Sequence, residues 1–247
     1  MKGIDVSKWQ GIIDFAKVKN SGIDFVIINA GYGKEISQKD KCFEQNYYAA
    51  KRVGLHVGAY WYSYATSVEN AVKEAKTCLE VIKGKQFDFP IYFDVEEQNQ
   101  FAKGRSFCDS IVKAFCDELE RNGYYVGLYI SRSPLQTYIS ESVAKRYALW
   151  IAEYGGKCNY NGNYGMWQYS CIGCVPGVNG NCDMNIAYVD YPSIIKKGFN
   201  GYKLKSIDEI AREVVQGKWG NGNERKQRLE TAGYNYNKVQ KRVNEII

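Results

Sequence analysis

The chain has 247 residues, of which 45% are hydrophobic and 24% charged, with a formal net charge of +6. That length allows one sizeable domain plus a small one, and the balance excludes a disordered chain. No apolar run approaches the roughly 20 residues needed to cross a bilayer, so no stable membrane insertion is expected.

The charge is uneven. Residues 203–247 hold ten Lys and Arg against six Asp and Glu, while the remainder is nearly balanced at 23 against 21. The basic tail suits an anionic partner, and it suits a solvated helical surface equally well. No nucleic-acid-binding motif accompanies it, so no nucleic-acid partner is expected. The N-terminus enters a strand at once, so the expectation is a chain made without a signal peptide or one from which it has been removed. Eight cysteines are then expected as free thiols in a reducing host cytoplasm. Cys171-Ile-Gly-Cys174, with Cys158 and Cys182 near it, has only one tightly spaced pair, so neither a metal nor another cofactor is expected. His56 is the single histidine, which disfavours a nucleophilic triad.

In chain order, Gly3–Ser7 reads as a short strand and Asp14–Asn20 as a helix stopped by Ser21-Gly22. Asp24–Asn29 is a near-continuous apolar run of the kind buried on both faces. Phe43–Val53 reads as a helix, Leu55–Tyr62 as a strand and Val68–Lys83 as a long amphipathic helix. Pro90-Ile-Tyr-Phe-Asp-Val-Glu-Glu97 is a strand that runs out into acid. Arg105–Asn122 is helical, with Phe107, Ile111, Phe115 and Leu119 along one stripe. Tyr124–Ser131, Tyr147–Ala152, Tyr164–Tyr169 and Asp183–Val189 follow as strands, the last gaps being too short and glycine-rich for full covering helices. Strand–helix alternation argues for a parallel sheet covered by helices. Eight strands with about five helices predict an α/β fold, an irregular TIM-like (β/α) barrel whose site lies at the C-terminal strand ends.

Those ends carry the chemistry. Asp94 and Glu96 share one side of their strand, a pattern that also suits a solvated strand end before a helix. Held close, two carboxyls repel, so one keeps its proton while the other ionises, the division that acid-catalysed glycosidic cleavage needs. Asp5 ends the first strand and Asp183 lies at the eighth. Tyr60 and Tyr62, Gly127 and Tyr129, and Trp150 and Ala152 each share a parity, so aromatics rim a cleft floored by acids. Each singly is better explained as core; together they suit a sugar-binding groove.

Gly3-Ile-Asp-Val-Ser-Lys-Trp-Gln10, Phe25-Val-Ile-Ile with Ala30-Gly-Tyr-Gly33, Gly58-Ala-Tyr60, Phe93-Asp-Val-Glu96, Gly127-Leu-Tyr129, Leu149-Trp-Ile-Ala152, Met166-Trp-Gln-Tyr169 and Val178–Asn185 together resemble glycosyl hydrolase family 25, the N-acetylmuramidase lysozymes. The resemblance covers residues 1–198. It implies cleavage of the β-1,4 bond between N-acetylmuramic acid and N-acetylglucosamine of bacterial peptidoglycan, by a phage endolysin or a bacterial autolysin. An endolysin would wait in the host cytoplasm until release. By position, Glu96 would be the general acid and Asp94 would stay ionised to steady the substrate. Asp5 and Asp183 would complete the acidic floor, with Tyr32, Tyr60, Tyr62, Tyr129, Trp150 and Trp167 as substrate-binding residues. Asn29 stands where many relatives carry arginine. A degenerate, non-catalytic barrel that only binds the wall is the alternative.

Residues 206–247 resemble the cell-wall-binding repeat of some streptococcal phage lysozymes, through Gly217-Lys-Trp-Gly-Asn-Gly222, Arg225, Leu229 and Ala232-Gly-Tyr234. That implies a three-helix module, and the residue pattern itself reads as three helices (Ile207–Gln216, Glu224–Thr231, Asn237–Ile246) after a linker at 199–205. Trp219, Arg225 and Tyr234 would contact the wall, a role for which core packing is an equal alternative at Trp219 and Tyr234. A single copy gains avidity only if the chain forms a homo-oligomer through this module.

Overall fold

The computed structural model describes all 247 residues. Eight strands close a barrel in chain order: β1 (Lys2–Val6), β2 (Phe25–Tyr32), β3 (His56–Tyr62), β4 (Ile91–Asp94), β5 (Val126–Ser131), β6 (Ala148–Ala152), β7 (Met166–Gly173) and β8 (Cys182–Ala187). Strands β1 to β7 run parallel, whereas β8 is antiparallel to both β7 and β1. The alternation pattern argues for a parallel sheet, and β8 departs from it for a local reason. Only residues 174–181 join β7 to β8, too few for the crossover that a parallel neighbour requires.

Eight helices surround the barrel: α1 (Phe15–Asn20), α2 (Phe43–Arg52), α3 (Val68–Ile82), α4 (Gln98–Phe101), α5 (Arg105–Arg121), α6 (Arg132–Tyr138), α7 (Glu141–Arg146) and α8 (Tyr191–Ile195). The long ones stand where periodicity placed them. Ser67 caps α3 by accepting from Asn70 N–H. The α5 stripe buries Ile111, Phe115 and Leu119, and Phe115 stacks on Phe93 with centroids 4.1 Å apart. Phe107 only borders that core. Helices α4, α6, α7 and α8 are too short for a 3.6-residue period to register in the sequence.

Alternation along each strand makes two cores. Outward residues such as Val26, Ile28 and Phe93 join the helices in the larger one. Inward residues, among them Phe25, Ile27, Tyr92, Trp150 and Met166, fill the barrel. Two inward glycines make room for this filling. A Cβ on Gly3 would lie 2.3 Å from the Phe25 ring, and one on Gly127 would lie 2.4 Å from Tyr92.

The segment expected as a linker is pinned to the barrel's underside at its start. Asn200, fully buried with φ of 51°, accepts from Tyr125 N–H at 2.7 Å and donates to Phe89 C=O at 2.8 Å. Its own backbone donates to Gly123 C=O and accepts from Phe87 N–H. Nearby, Tyr202 O–H donates to the buried Asp88, which also accepts from Lys51 Nζ and Val57 N–H. Hydrogen bonds from His56, Lys51 and Tyr202, with the Lys51 charge, hold the Asp88 carboxyl well below its usual range despite burial.

Beyond it, α9 (Ile207–Val215), α10 (Gly222–Thr231) and α11 (Tyr236–Ile246) enclose a small core of their own: Ile210, Ala211, Val214, Leu229, Val239 and Val243. A reciprocal Ser206–Glu209 capping box starts α9. No helix of the chain is long and apolar enough to cross a membrane.

Candidate active site

One cavity of about 570 Å³ opens at the C-terminal ends of the parallel strands, and Asp5, Asp94, Glu96 and Asp183 all line it. Each arrives by strand parity. Asp5 is the last inward residue of β1, and Asp94 ends β4. Glu96 follows two residues later. Asp183 reaches the same mouth from the start of β8, because that strand runs backwards, and its Cα sits across from that of Asp5. Asp94 lies level with Tyr62 of β3 on one side and Tyr129 of β5 on the other.

Asp5 is buried and accepts at one oxygen from Asn185 Nδ2 at 2.7 Å and Gln168 Nε2 at 3.0 Å. Asn185 in turn accepts from Trp150 Nε1, and Gln168 accepts from the Tyr129 and Tyr154 hydroxyls. The aromatic wall and the acid floor are therefore one hydrogen-bonded unit. Asp94 differs. It is 4% exposed, and its Oδ1 has no hydrogen-bond partner.

All four carboxyls are raised above their ordinary range, and burial is the largest cause for each. Asp5 is pushed to about 8, with Asp183 adding to burial and the two amide donors opposing it. Asp94 is raised well above its usual value by burial, then by Glu96 and Asp5. Those surroundings disfavour the ionised form of Asp94 in the free protein. A carboxyl with no donor beside it is the one that burial neutralises most readily. Glu96 is raised by burial, Asp183 and Glu97. Much of its surface is exposed, yet it stands in a concave mouth whose walls displace water, so access and desolvation coexist.

These shifts set a sign for stability. A buried carboxyl with a raised folded value favours the fold while protonated, and that contribution is lost as pH rises from the unfolded value to the folded one. For Asp5 the window runs from 3.8 to about 8. Thermal stability is expected to fall across it, and Asp5→Asn should melt higher than the parent at pH 8 with a flatter profile. An unchanged profile in scanning calorimetry would contradict the burial of that charge.

Of the expected aromatics, Tyr32, Tyr60, Tyr62, Tyr129 and Trp150 line the cleft. Trp167 does not. It has the opposite parity to Met166 and Gln168, lies in the outer core, and donates from Nε1 to Glu153 C=O. The residue of that motif that reaches the site is Gln168, legible from alternation once the strand's inner face is known. Sequence reasoning also missed Lys8, Trp9, Asp40, Tyr64 and Tyr154, all lining the cleft. Most of them lie in loops just past a strand, where period-two parity ends. Asn29 lines the cleft with a buried Oδ1 that has no partner. His56 stands at the opposite end of the barrel beside Asp88, at 3.7 Å. No group of three or more His, Cys, Asp or Glu side chains converges as a metal site.

In the C-terminal helices, Trp219 lines a groove of about 540 Å³ with Glu213, Lys218, Gln227, Arg228, Thr231 and Ala232. Its Nε1 donates to Glu213 at 3.0 Å. Arg225 and Tyr234 do not line this groove. Arg225 donates to Gly220 C=O, Asn221 and Gln240, tying α10 to α11, while the Tyr234 hydroxyl accepts from Lys205 N–H. Tyr234 packs edge-on against Trp219 at 6.0 Å.

The C-terminal segment, residues 208–247, matches the model of the CW_7 repeat. Over 107 residues the chain is 39% identical to a lysozyme of Streptococcus phage Cp-7, covering 40% of this chain and 29% of that protein. An autolytic lysozyme of Clostridium acetobutylicum is 35% identical over 188 residues, 75% of this chain and 55% of that protein. The modular autolysin LytC of Streptococcus pneumoniae, solved with a synthetic peptidoglycan ligand, superposes with a TM-score of 0.69 at 28% identity over 76% of this chain and 46% of that one. The chain thus spans about half the length of these two larger proteins. The CTP1L endolysin, at 22% identity and a TM-score of 0.69, shares the fold over 99% of both chains. Residues 4–178 match the model of the glycosyl hydrolases family 25, and with most of the barrel inside that match the chain belongs to this family.

Proposed function

We propose that the protein is a lysozyme that cleaves the β-1,4 bond between N-acetylmuramic acid and N-acetylglucosamine in bacterial peptidoglycan. The observation that carries this reading is the convergence of four carboxyls at the mouth of one aromatic-lined cleft. Glu96, the most water-accessible of the four, donates its proton to the leaving glycosidic oxygen. Asp94 lies beneath it. Its ionised form is disfavoured in the free protein and becomes favoured once positive charge develops on the sugar, so the stabilisation is specific to the transition state. Asp5 and Asp183 complete the floor, and Tyr32, Tyr60, Tyr62, Tyr129 and Trp150 offer faces and hydroxyls to the sugar rings.

The same reading divides the chain into a catalytic barrel at 1–198, a junction at 199–205 and a wall-binding module at 206–247, in which Trp219 is the contact residue. It includes a stay in the host cytoplasm before release to the wall, and self-association through the module, which sedimentation of the purified chain would reveal. Incubation with purified peptidoglycan tests the central claim. New reducing ends on N-acetylmuramic acid, identified by mass spectrometry, are expected. New ends on N-acetylglucosamine, or an intact glycan, would overturn it.

A further inference from the structure

Among the residues lining the cleft, Lys8 is the only cation, set against Asp5, Asp40, Asp94, Glu96 and Asp183. A lone ammonium in so acidic a cavity would ordinarily collapse onto a carboxylate. It does not: no carboxylate lies within 4.0 Å of its nitrogen. Instead Lys8 Nζ stands over two aromatic rings, 5.1 Å from the centroid of Trp9 and 5.7 Å from that of Tyr32.

The backbone beneath explains why. Ser7 Oγ accepts from Trp9 N–H, Gln10 Oε1 accepts from Ser7 N–H, and Gln10 Nε2 donates across to Asn181 C=O. The buried Asp40 accepts from Lys8 N–H at 3.0 Å and from Cys42 N–H at 2.8 Å. The nearby carboxylate is thereby occupied by main-chain donors, and a short turn (Lys8–Gln10) is fixed from both flanks. That turn presents a half-buried ammonium beside Trp9, which is 82% exposed. An indole face open to solvent on a rigid turn at a cleft lip suits a sugar ring, and the adjacent unpaired cation suits an anionic substituent on that ring.

We propose that Lys8 and Trp9 form a binding site for a carboxylate-bearing amino sugar, with the Lys8 ammonium pairing the substrate's carboxylate. The inference rests on the peptidoglycan reading above and deepens it: the cleft selects glycans that carry acid over neutral polymers of N-acetylglucosamine. Two sources share this chemistry, the lactyl carboxylate of a peptide-free muramic acid and a carboxylate of the attached stem peptide. With the peptide in place the lactyl group is an amide, so the two can be separated.

The test compares the parent with Lys8→Met and Lys8→Arg on three soluble glycans: peptide-bearing, peptide-free, and one whose carboxyls are capped as methyl amides. Binding is read by Trp fluorescence titration and turnover by reducing ends. Lys8→Met should raise KM and Kd about 10-fold on a carboxylate glycan, as expected for one charge-assisted hydrogen bond, with kcat nearly unchanged. On the capped glycan the parent and Lys8→Met should be equal. Lys8→Arg should restore most of the affinity, and added salt should weaken the parent more than Lys8→Met. Discrimination on peptide-free glycan assigns the lactyl carboxylate, and discrimination confined to peptide-bearing glycan assigns the stem. Equal affinities of parent and Lys8→Met on both carboxylate glycans, or the same loss on the capped one, would overturn the proposal. Absent turnover by the parent would count against the lysozyme reading alone, since the binding arm would still report on Lys8.

Discussion

Glu96→Gln is expected to lower kcat by ~10²–10⁴-fold, the usual contribution of a general acid, while the variant still pellets with purified walls. The substitution keeps the shape of the side chain and removes its transferable proton. Because Glu96 sits in a crowd of raised carboxyls, losing its charge should leave the melting temperature unchanged or higher. The neighbour supplies the control. Glu97 also carries an acid but accepts from the Tyr62 hydroxyl at 2.8 Å and lies outside the cleft lining, so Glu97→Gln should act mainly on KM. If Glu96→Gln clears walls at the parent rate, or Glu97→Gln proves the more damaging change, the acid has been misassigned.

Asn200→Ala should be the most destabilising single change far from the cleft. It leaves Tyr125 N–H and Phe89 C=O buried without partners, at ~1–3 kcal/mol each. It also asks alanine to hold a positive φ, at ~1–2 kcal/mol. Together these reach ~3–8 kcal/mol, and a loss of even ~4 kcal/mol corresponds to a melting temperature lower by roughly 10 °C in a chain of this size. Asn200→Gly relieves the backbone alone, and Asn200→Asp keeps an acceptor for Tyr125 but no donor for Phe89. Both should fall between parent and alanine. Activity at 25 °C should be little affected, because Asn200 lies beneath the barrel. A melting temperature within about 2 °C of the parent would mean that the junction does not close the underside.

Much of the candidate site is legible in the sequence. Asp94 and Glu96 stand out because an apolar strand ends in them, and the parities of Tyr60, Tyr62, Tyr129 and Trp150 follow from alternation. Trp167 shows the limit of that logic. Its motif was identified, but in a strand rich on both faces nothing local says which face is inward. Lys8, Trp9 and Asp40 were missed for a different reason. The turn that carries Lys8 and Trp9 is tied to Asp40 through the Lys8 N–H, 32 residues apart in sequence, and no period encodes such a contact.

By itself the chain's pattern of apolar runs, helix stripes and glycine stops determined that eight strands and covering helices would form, because burial of each face depends on local periodicity. Only the tertiary structure decided that β8 runs backwards and so delivers Asp183 to the mouth from the strand's start. It decided too that Asn200 belongs to the barrel, and that Asp94 is the carboxyl left without a donor. Ionisation state and strand direction depend on what surrounds a residue on all sides, and those neighbours assemble only when the barrel closes.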